Sequence, residues 1–233
     1  MSPSTERMVE FKSDAFLIKG FLARPDGAPG PQPAVIVIQE WWGLNDHIKE
    51  IARRFAARGY VALAPDLYSR LGHQVTKDAN EASQLMSQLS SQGALRDLNA
   101  AIGFLKQQPA VDARRVGAVG FCMGGTFALT MATHNSDLKA AVVFYGKVPP
   151  LETLDSLLCP VLYHHGEQDG WVTKQEVDRL RQGLRQFGKP GEVVGYPQAQ
   201  HAFFNDTRPE VYRKEDAEAA WRSTIDFFTR SLR

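Results

Sequence analysis

The segment Gly120-Phe121-Cys122-Met123-Gly124-Gly125 constrains this chain more than any other. It is preceded by a β-branched run, Val116-Gly117-Ala118-Val119, and followed by a helix-forming run, Thr126-Phe127-Ala128-Leu129-Thr130-Met131-Ala132. Glycine, any residue, nucleophile, any residue, glycine between a strand and a helix describes a sharp turn that lifts one side chain out of the chain path. The glycines are there for a steric reason, because strand and helix pass so close that a Cβ at Gly120 or Gly124 would collide. The lifted residue is Cys122, and the helix start just after it favours negative charge on sulfur. The plain alternative is an ordinary buried cysteine beside an ordinary turn, and the choice depends on partners elsewhere in the chain.

Two cysteines, Cys122 and Cys159, do not make a disulfide framework. They suit a reducing, cytoplasmic setting, and a bridge between them would block the proposed nucleophile. Lys and Arg number 27 against 26 Asp and Glu, a net charge of +1, which leaves no electrostatic footprint for nucleic acid or an anionic membrane. The first residues, Met1-Ser2-Pro3-Ser4-Thr5-Glu6-Arg7, lack the apolar core of a signal peptide and read as a flexible extension. No apolar run reaches transmembrane length. With 233 residues, 43% of them hydrophobic, the chain is expected to form a single α/β domain over 1–233.

Strand and helix patterns alternate. Ala34 to Ile38 is a continuous apolar run, as expected for a strand covered on both faces. Further strands are expected at Tyr60–Ala64, Arg115–Val119, Ala140–Tyr145, Val161–His165 and Glu192–Tyr196. Ala15–Arg24 reads as an edge strand paired with Met8–Lys12, ahead of a Gly- and Pro-rich loop from Pro25 to Pro33. Helices are expected at His47–Arg58, Lys77–Leu89, Ala94–Gln107, after the Cys122 turn, at Lys174–Phe187 and at Lys214–Leu232. This alternation predicts a mostly parallel sheet with helices on both faces, whose functional residues sit at the carboxyl ends of strands.

Three strand ends carry chemistry. Cys122 is the first. After Val161–His165 comes Gly166-Glu167-Gln168-Asp169-Gly170-Trp171-Val172, where Asp169 is the candidate orienting acid and Glu167 its competitor. Asp169 also fits a plain turn or cap role. After the last strand comes His201, the candidate base. Nucleophile, acid and base in that chain order match the α/β-hydrolase fold, and in triad logic His201 takes the Cys122 proton while Asp169 fixes its tautomer. The loop Gln39-Glu40-Trp41-Trp42-Gly43-Leu44-Asn45 follows the Ala34–Ile38 strand. Such a loop supplies one oxyanion-hole N–H, here Trp41, and the residue after the nucleophile, Met123, supplies the other. Glu40 is unusual beside an oxyanion site, and its bland reading is a solvated loop carboxylate. His47, His73 and His134 lie in helix or loop patterns without evident partners, while His164 and His165 end a strand, where structural hydrogen bonding is expected. No spacing suggests a metal site.

The motifs Gln39-Glu40-x-x-Gly43-Leu44-Asn45, Pro65-Asp66-Leu67-Tyr68, Gly120-Phe121-Cys122-Met123-Gly124-Gly125, Tyr145-Gly146, Gly166-Glu167-Gln168-Asp169 and His201-Ala202-Phe203 occur in this order. Together they resemble the dienelactone hydrolase family from about residue 8 onward. The resemblance implies a small α/β-hydrolase that uses a Cys122–His201–Asp169 triad and no cofactor. It also implies that Glu40 contacts the resting thiol and swings when substrate binds. In the family, arginines hold the substrate carboxylate. Here Asn205 stands where one of those arginines would lie, and Arg70 and Arg208 cannot be placed from sequence. Trp42, Tyr145, Trp171, Phe203 and Asn205 are the candidate substrate-binding residues, with Trp41-Trp42, Trp171 and Phe203-Phe204 suggesting an aromatic pocket. The alternative is that most of these aromatics pack core and only one or two face a ligand.

The expected activity is hydrolysis of carboxylic esters or lactones through a thioester on Cys122. A short-chain carboxylesterase without dienelactone activity is the first alternative, and a noncatalytic, redox-responsive protein using Cys122 as a sensor thiol is the second. The expected partner is a small ester or lactone, with no nucleic acid and no membrane. The expected state is a monomer or weak homo-oligomer.

Overall fold

The computed structural model describes residues 4–233, and these divide into two compact units, residues 4–116 and 117–233. In the first unit the strands β1 (Ser4–Ser13), β2 (Phe16–Pro25), β3 (Gln32–Ile38) and β4 (Val61–Pro65) lie in the order β1-β2-β4-β3. In the second, β5 (Val111–Phe121), whose last residues belong to this unit, leads the order β5-β6-β7-β8, with β6 (Leu138–Phe144), β7 (Val161–Gly166) and β8 (Gly191–Tyr196). β3–β4, β6–β7 and β7–β8 pair in parallel, while β1–β2 and β2–β4 run antiparallel. β3 from Ala34 onward, all of β4, β6 from Ala140 onward and all of β7 are buried. That is the pattern expected of strands covered on both faces.

The expected hairpin forms, but its geometry is corrected. β1 is the terminal strand of the order, and β2 lies between β1 and β4, because Gly20 to Ala23 also pair with β4. β1 begins at Ser4, so residues 4–7, expected as a flexible extension, are strand; the rest of that expectation, residues 1–3, lies outside the described residues.

Helices cover both faces of the first unit's strands, and side-chain alternation shows why. In the β1–β2 register Phe11 faces Ile18 and Met8 faces Phe21. Directly opposed residues share a face, while Ile18 and Phe21, three apart, point to opposite faces. Phe11 stacks on Phe104 of α3 (Ser91–Lys106), with ring centres 5.3 Å apart. Phe21 lies under the Arg53 guanidinium of α1 (Asp46–Ala56) at 4.9 Å. α1 and α3 therefore pack on opposite faces. α1 starts where the Gln39–Asn45 loop ends because the Asn45 side chain accepts the Ile48 N–H at 3.1 Å, a standard N-cap.

The remaining helices are α2 (Ala79–Gln88), α4 (Met123–His134), α5 (Lys174–Gln186) and α6 (Lys214–Ser231), each within a few residues of its expected position. α5 carries a complete capping box, with Thr173 and Glu176 satisfying each other's main chain. Two short 3-10 turns, at Ser69–Leu71 and Leu151–Ser156, were not legible in the periodicity. No described helix is long and apolar enough to cross a membrane.

Candidate active site

β5 ends at Phe121 and α4 begins at Met123, leaving Cys122 alone in the turn. Its backbone is at φ 55° and ψ −116°, a region that a residue with a Cβ rarely enters. The strain is held from both sides. The Cys122 N–H donates to the Phe144 carbonyl at 3.0 Å, and the Cys122 carbonyl accepts from Thr126 N at 3.1 Å. The expectation for Gly120 holds, since a Cβ there would lie 1.9 Å from the Gly124 carbonyl oxygen. The turn closes against β6 as well, because a Cβ on Gly146 would lie 2.4 Å from the Gly125 carbonyl carbon. Strain concentrated at one partly exposed side chain is typical of a functional position. Cys122 and Cys159 are both free thiols. Burial pushes the Cys159 thiol up to about 12, so it is inert as a nucleophile.

The structure brings Asp169 and His201 together. His201 Nδ1 and Asp169 Oδ2 are 2.8 Å apart, and the Asp169 carboxylate is fully buried. Its other oxygen, Oδ1, accepts the main-chain N–H groups of Trp171 at 2.7 Å and Val172 at 2.9 Å. Asp169 thus accepts the main-chain N–H groups of its own turn with one oxygen and meets His201 with the other. Glu167 is exposed, and its carboxylate lies against Gly195 rather than on His201.

The His201 side chain also hydrogen-bonds Cys122. Burial opposes a charge on the imidazole, but the hydrogen bonds to Asp169 and Cys122 outweigh it and push the His201 pKa up to about 10. Two tilted aromatic rings lie beside the imidazole, Tyr145 with centres 5.0 Å apart and Trp171 at 6.2 Å. The backbone is left-handed at Tyr145, with φ of 42°, and at Ala202, next to His201, with φ of 64°. Beneath them Phe121, Phe144, Phe203 and Phe204 form a packed aromatic floor, with Phe121 and Phe144 stacked 4.7 Å apart.

The aromatic candidates separate by burial. Tyr145 and Phe203 are fully buried, Trp42 and Asn205 are buried, and Trp171 is 59% exposed. Asn205 Oδ1 accepts from Thr207 N at 3.1 Å and Thr207 Oγ1 at 2.7 Å, a local turn. Neither arginine left open by the sequence stands free: Arg70 is paired with Asp97 at 2.7 Å, and Arg208 with Glu210 at 2.8 Å. Glu40, in the first unit, is 1% exposed, so its reading as a solvated loop carboxylate is wrong. Met123, the candidate oxyanion donor, is the first residue of α4, and Trp41 follows the end of β3 in the first unit.

Two further histidine expectations change. His73 Nδ1 lies 2.9 Å from Asp66 Oδ2, and His134 Nδ1 lies near Thr133 Oγ1 and the Thr130 carbonyl. His164 does have the expected structural bonds, to Tyr196 Oη at 3.0 Å and Thr224 Oγ1 at 3.1 Å. Among the described residues no group of three His, Cys, Asp or Glu side chains forms a metal cluster.

A mostly parallel α/β architecture with this strand-to-helix turn defines the chain as an α/β-hydrolase. The profile of the dienelactone hydrolase family matches residues 18–232, so the chain belongs to the dienelactone hydrolase family and is a hydrolase of that type. A protein of Yersinia pestis named "Putative carboxymethylenebutenolidase" is 35% identical over 226 residues, covering 91% of this chain and 83% of the relative. The solved structure of a "Putative Dienelactone Hydrolase" from Klebsiella pneumoniae subsp. pneumoniae MGH 78578 superposes with a TM-score of 0.91 at 32% identity, over 98% of this chain and 99% of the other. A "Dienelactone Hydrolase-like Promiscuous Phospotriesterase P91 from Metagenomic Libraries" gives 0.89 at 29% identity, over 99% of each chain.

Sequence reasoning singled out Cys122, Asp169 and His201 but not the residues that bond the main chain around them. Thr126 and Tyr163 bond the main chain at residues 147 and 146, and Lys147 bonds that of Trp171. The only sequence signal for them is adjacency to the motifs.

Proposed function

We propose that this protein hydrolyses carboxylic ester or lactone bonds through a Cys122–His201–Asp169 triad and a thioester intermediate. The observation that carries this reading is His201, held through Nδ1 by buried Asp169 at 2.8 Å and hydrogen-bonded to Cys122. With the Cys122 proton held on the imidazole, the thiolate attacks the substrate carbonyl carbon. The amides of Met123 and Trp41 are the proposed donors to the resulting oxyanion. The imidazolium then gives its proton to the departing alkoxide as the C–O bond breaks, leaving a thioester. In a lactone the alkoxide stays attached to the acyl chain. Water, deprotonated by His201, attacks the thioester, and the acid leaves as the thiolate returns. Asp169 keeps the imidazole in the tautomer both steps need. Glu40 is proposed, from the resemblance, to control the resting thiol.

On this reading no cofactor is used. Trp171 is the aromatic candidate for substrate contact, because it alone of the five candidate side chains is exposed. The two free thiols suit the cytoplasm.

The test is turnover of dienelactones, short aryl esters and an aryl phosphotriester by the purified protein. Intact-mass analysis in parallel looks for an acyl adduct. Ester or lactone turnover with an adduct that disappears in Cys122→Ala is expected. Turnover surviving in Cys122→Ala, or no turnover of any carboxylic ester or lactone, would rule the mechanism out.

A further inference from the structure

Lys147 is an exposed lysine that no part of the triad chemistry requires, yet its main chain and side chain are both fixed. Its N–H donates to Thr126 Oγ1 at 2.9 Å, in the first turn of α4. The preceding Gly146 carbonyl accepts the buried Tyr163 hydroxyl from β7. The root of the side chain is therefore set by the same helix that begins at Cys122. The ammonium reaches across to the acid-bearing loop. It donates to the Trp171 carbonyl and pairs with Glu176 Oε2 at 3.3 Å. That same Glu176 oxygen caps α5 by accepting Thr173 N at 3.0 Å. Trp171 in turn donates its N–H to Asp169 Oδ1 at 2.7 Å.

One peptide unit thus separates the Lys147 contact from the triad acid. A 54% exposed lysine gains little stability from an ion pair of this kind. The gain is geometric: two links fix the 169–173 turn relative to the nucleophile's helix. Arg179 Nη2 and Nε add two more, donating to the Val148 carbonyl at 2.8 Å and the Pro149 carbonyl at 3.0 Å.

We propose that Lys147, clasped to the Trp171 carbonyl and Glu176, is a positioning residue that holds the Asp169 turn, and through it His201, in register with Cys122. The inference rests on the triad reading. Its chemistry asks only for a cation long enough to bridge two strand-end loops, so arginine should replace lysine and methionine should not.

The experiment compares wild type, Lys147→Met, Lys147→Arg and Glu176→Gln, alone and in an Asp169→Asn background. The readouts are kcat/KM on p-nitrophenyl acetate and the His201 imidazole titration by NMR. Misplacing a catalytic group by a fraction of an ångström costs roughly tenfold or more, so Lys147→Met should lower kcat/KM about tenfold and Lys147→Arg should recover most of it. In the Asp169→Asn background Lys147→Met should have little further effect. The NMR sign separates positioning from charge. Removing a nearby cation by itself raises a histidine pKa, whereas loosening the Asp169 hydrogen bond lowers it. The expected shift is downward. An unchanged or raised His201 pKa, an undiminished rate, or the same tenfold loss without Asp169 would overturn the proposal. If Lys147→Met does not fold, Lys147→Gln, which also removes the cation, carries the same readouts. A wild type with no turnover of any carboxylic ester or lactone would sink the triad chemistry, while the NMR titration would still decide whether Lys147 sets the His201 environment.

Discussion

Two histidine–aspartate pairs lie after strands, one in each unit, and at first sight they match. After β4, His73 Nδ1 sits 2.9 Å from Asp66 Oδ2; after β7, His201 Nδ1 sits 2.8 Å from Asp169 Oδ2. Each aspartate also accepts main-chain N–H groups, Asp66 one from Tyr68 and Asp169 two from Trp171 and Val172. The environments differ. Burial raises the Asp66 carboxyl, and its bonds to His73 and Tyr68 do not fully offset that. His201 also bonds Cys122 and lies beside the Tyr145 and Trp171 rings, and its pKa rises to about 10. Among the described residues, the only side chain bonded to His73 is that of Asp66. A histidine–aspartate contact is therefore no site by itself. On the proposed reading it becomes one when a strained turn sets a thiol beside the histidine.

The comparison breaks first at the nucleophile. Cys122→Ala should lose roughly 10⁴-fold or more of ester turnover while staying folded. Stopped assays on a contamination-free preparation check this, and more than a few per cent residual rate would contradict the assignment. His201→Ala should cost roughly 10³-fold or more, and Asp169→Asn should approach it because an amide can stabilise the wrong tautomer. The same substitutions in the other pair, His73→Ala and Asp66→Asn, should change kcat/KM by less than about threefold after allowance for folded fraction; a larger loss would make the two pairs functionally equivalent. Glu167→Gln should be equally mild, and if it proved worse than Asp169→Asn the acid would be wrongly chosen.

Glu40 sharpens the contrast from the first unit. If this buried carboxylate controls the resting thiol, Glu40→Gln should lower turnover and shift the pH dependence of Cys122 alkylation by iodoacetamide. Superimposable alkylation curves with unchanged turnover would confine Glu40 to a packing role.

The smallest effects are in stability. The His201 pKa is raised from 6.5 to about 10, so its stabilising contribution is fully present below pH 6.5 and is lost as pH rises through 10. The gap in unfolding free energy between wild type and His201→Gln should therefore narrow from pH 6.5 to 10. Buried His164 shows the opposite sign. Burial lowers its pKa from 6.5 to about 3, so the unfolded chain binds the extra proton in that window and stability falls as pH drops from 6.5 toward 3. His164→Gln should flatten that acid slope, whatever its effect at neutral pH. Denaturant titrations across pH read both, and parallel curves for variant and wild type would refute either assignment.

Much of this molecule follows from residue order. Alternating apolar runs and amphipathic stretches specify the strands and helices, because period and local capping are properties of neighbouring residues: Asn45 caps α1 and Thr173 with Glu176 caps α5 from within a few positions. The Gly120–Gly125 turn is equally local, since the collision a Cβ on Gly120 would make is with a residue four positions on. Chain order also selected Cys122, Asp169 and His201. Sequence could not decide between roles that differ only by what lies across space. Glu40 is buried rather than solvated. Tyr145 and Phe203 are fully buried, whereas Trp171 stands exposed. Asp66 and Asp169 both follow a strand and both bind a histidine, but only Asp169 serves a ring that also bonds a thiol. Lys147 has no motif of its own, and its link to the Trp171 carbonyl spans 24 positions in the chain. Burial, hydrogen-bond partners and charge environment are set by residues far apart in sequence, so only the folded chain fixes them.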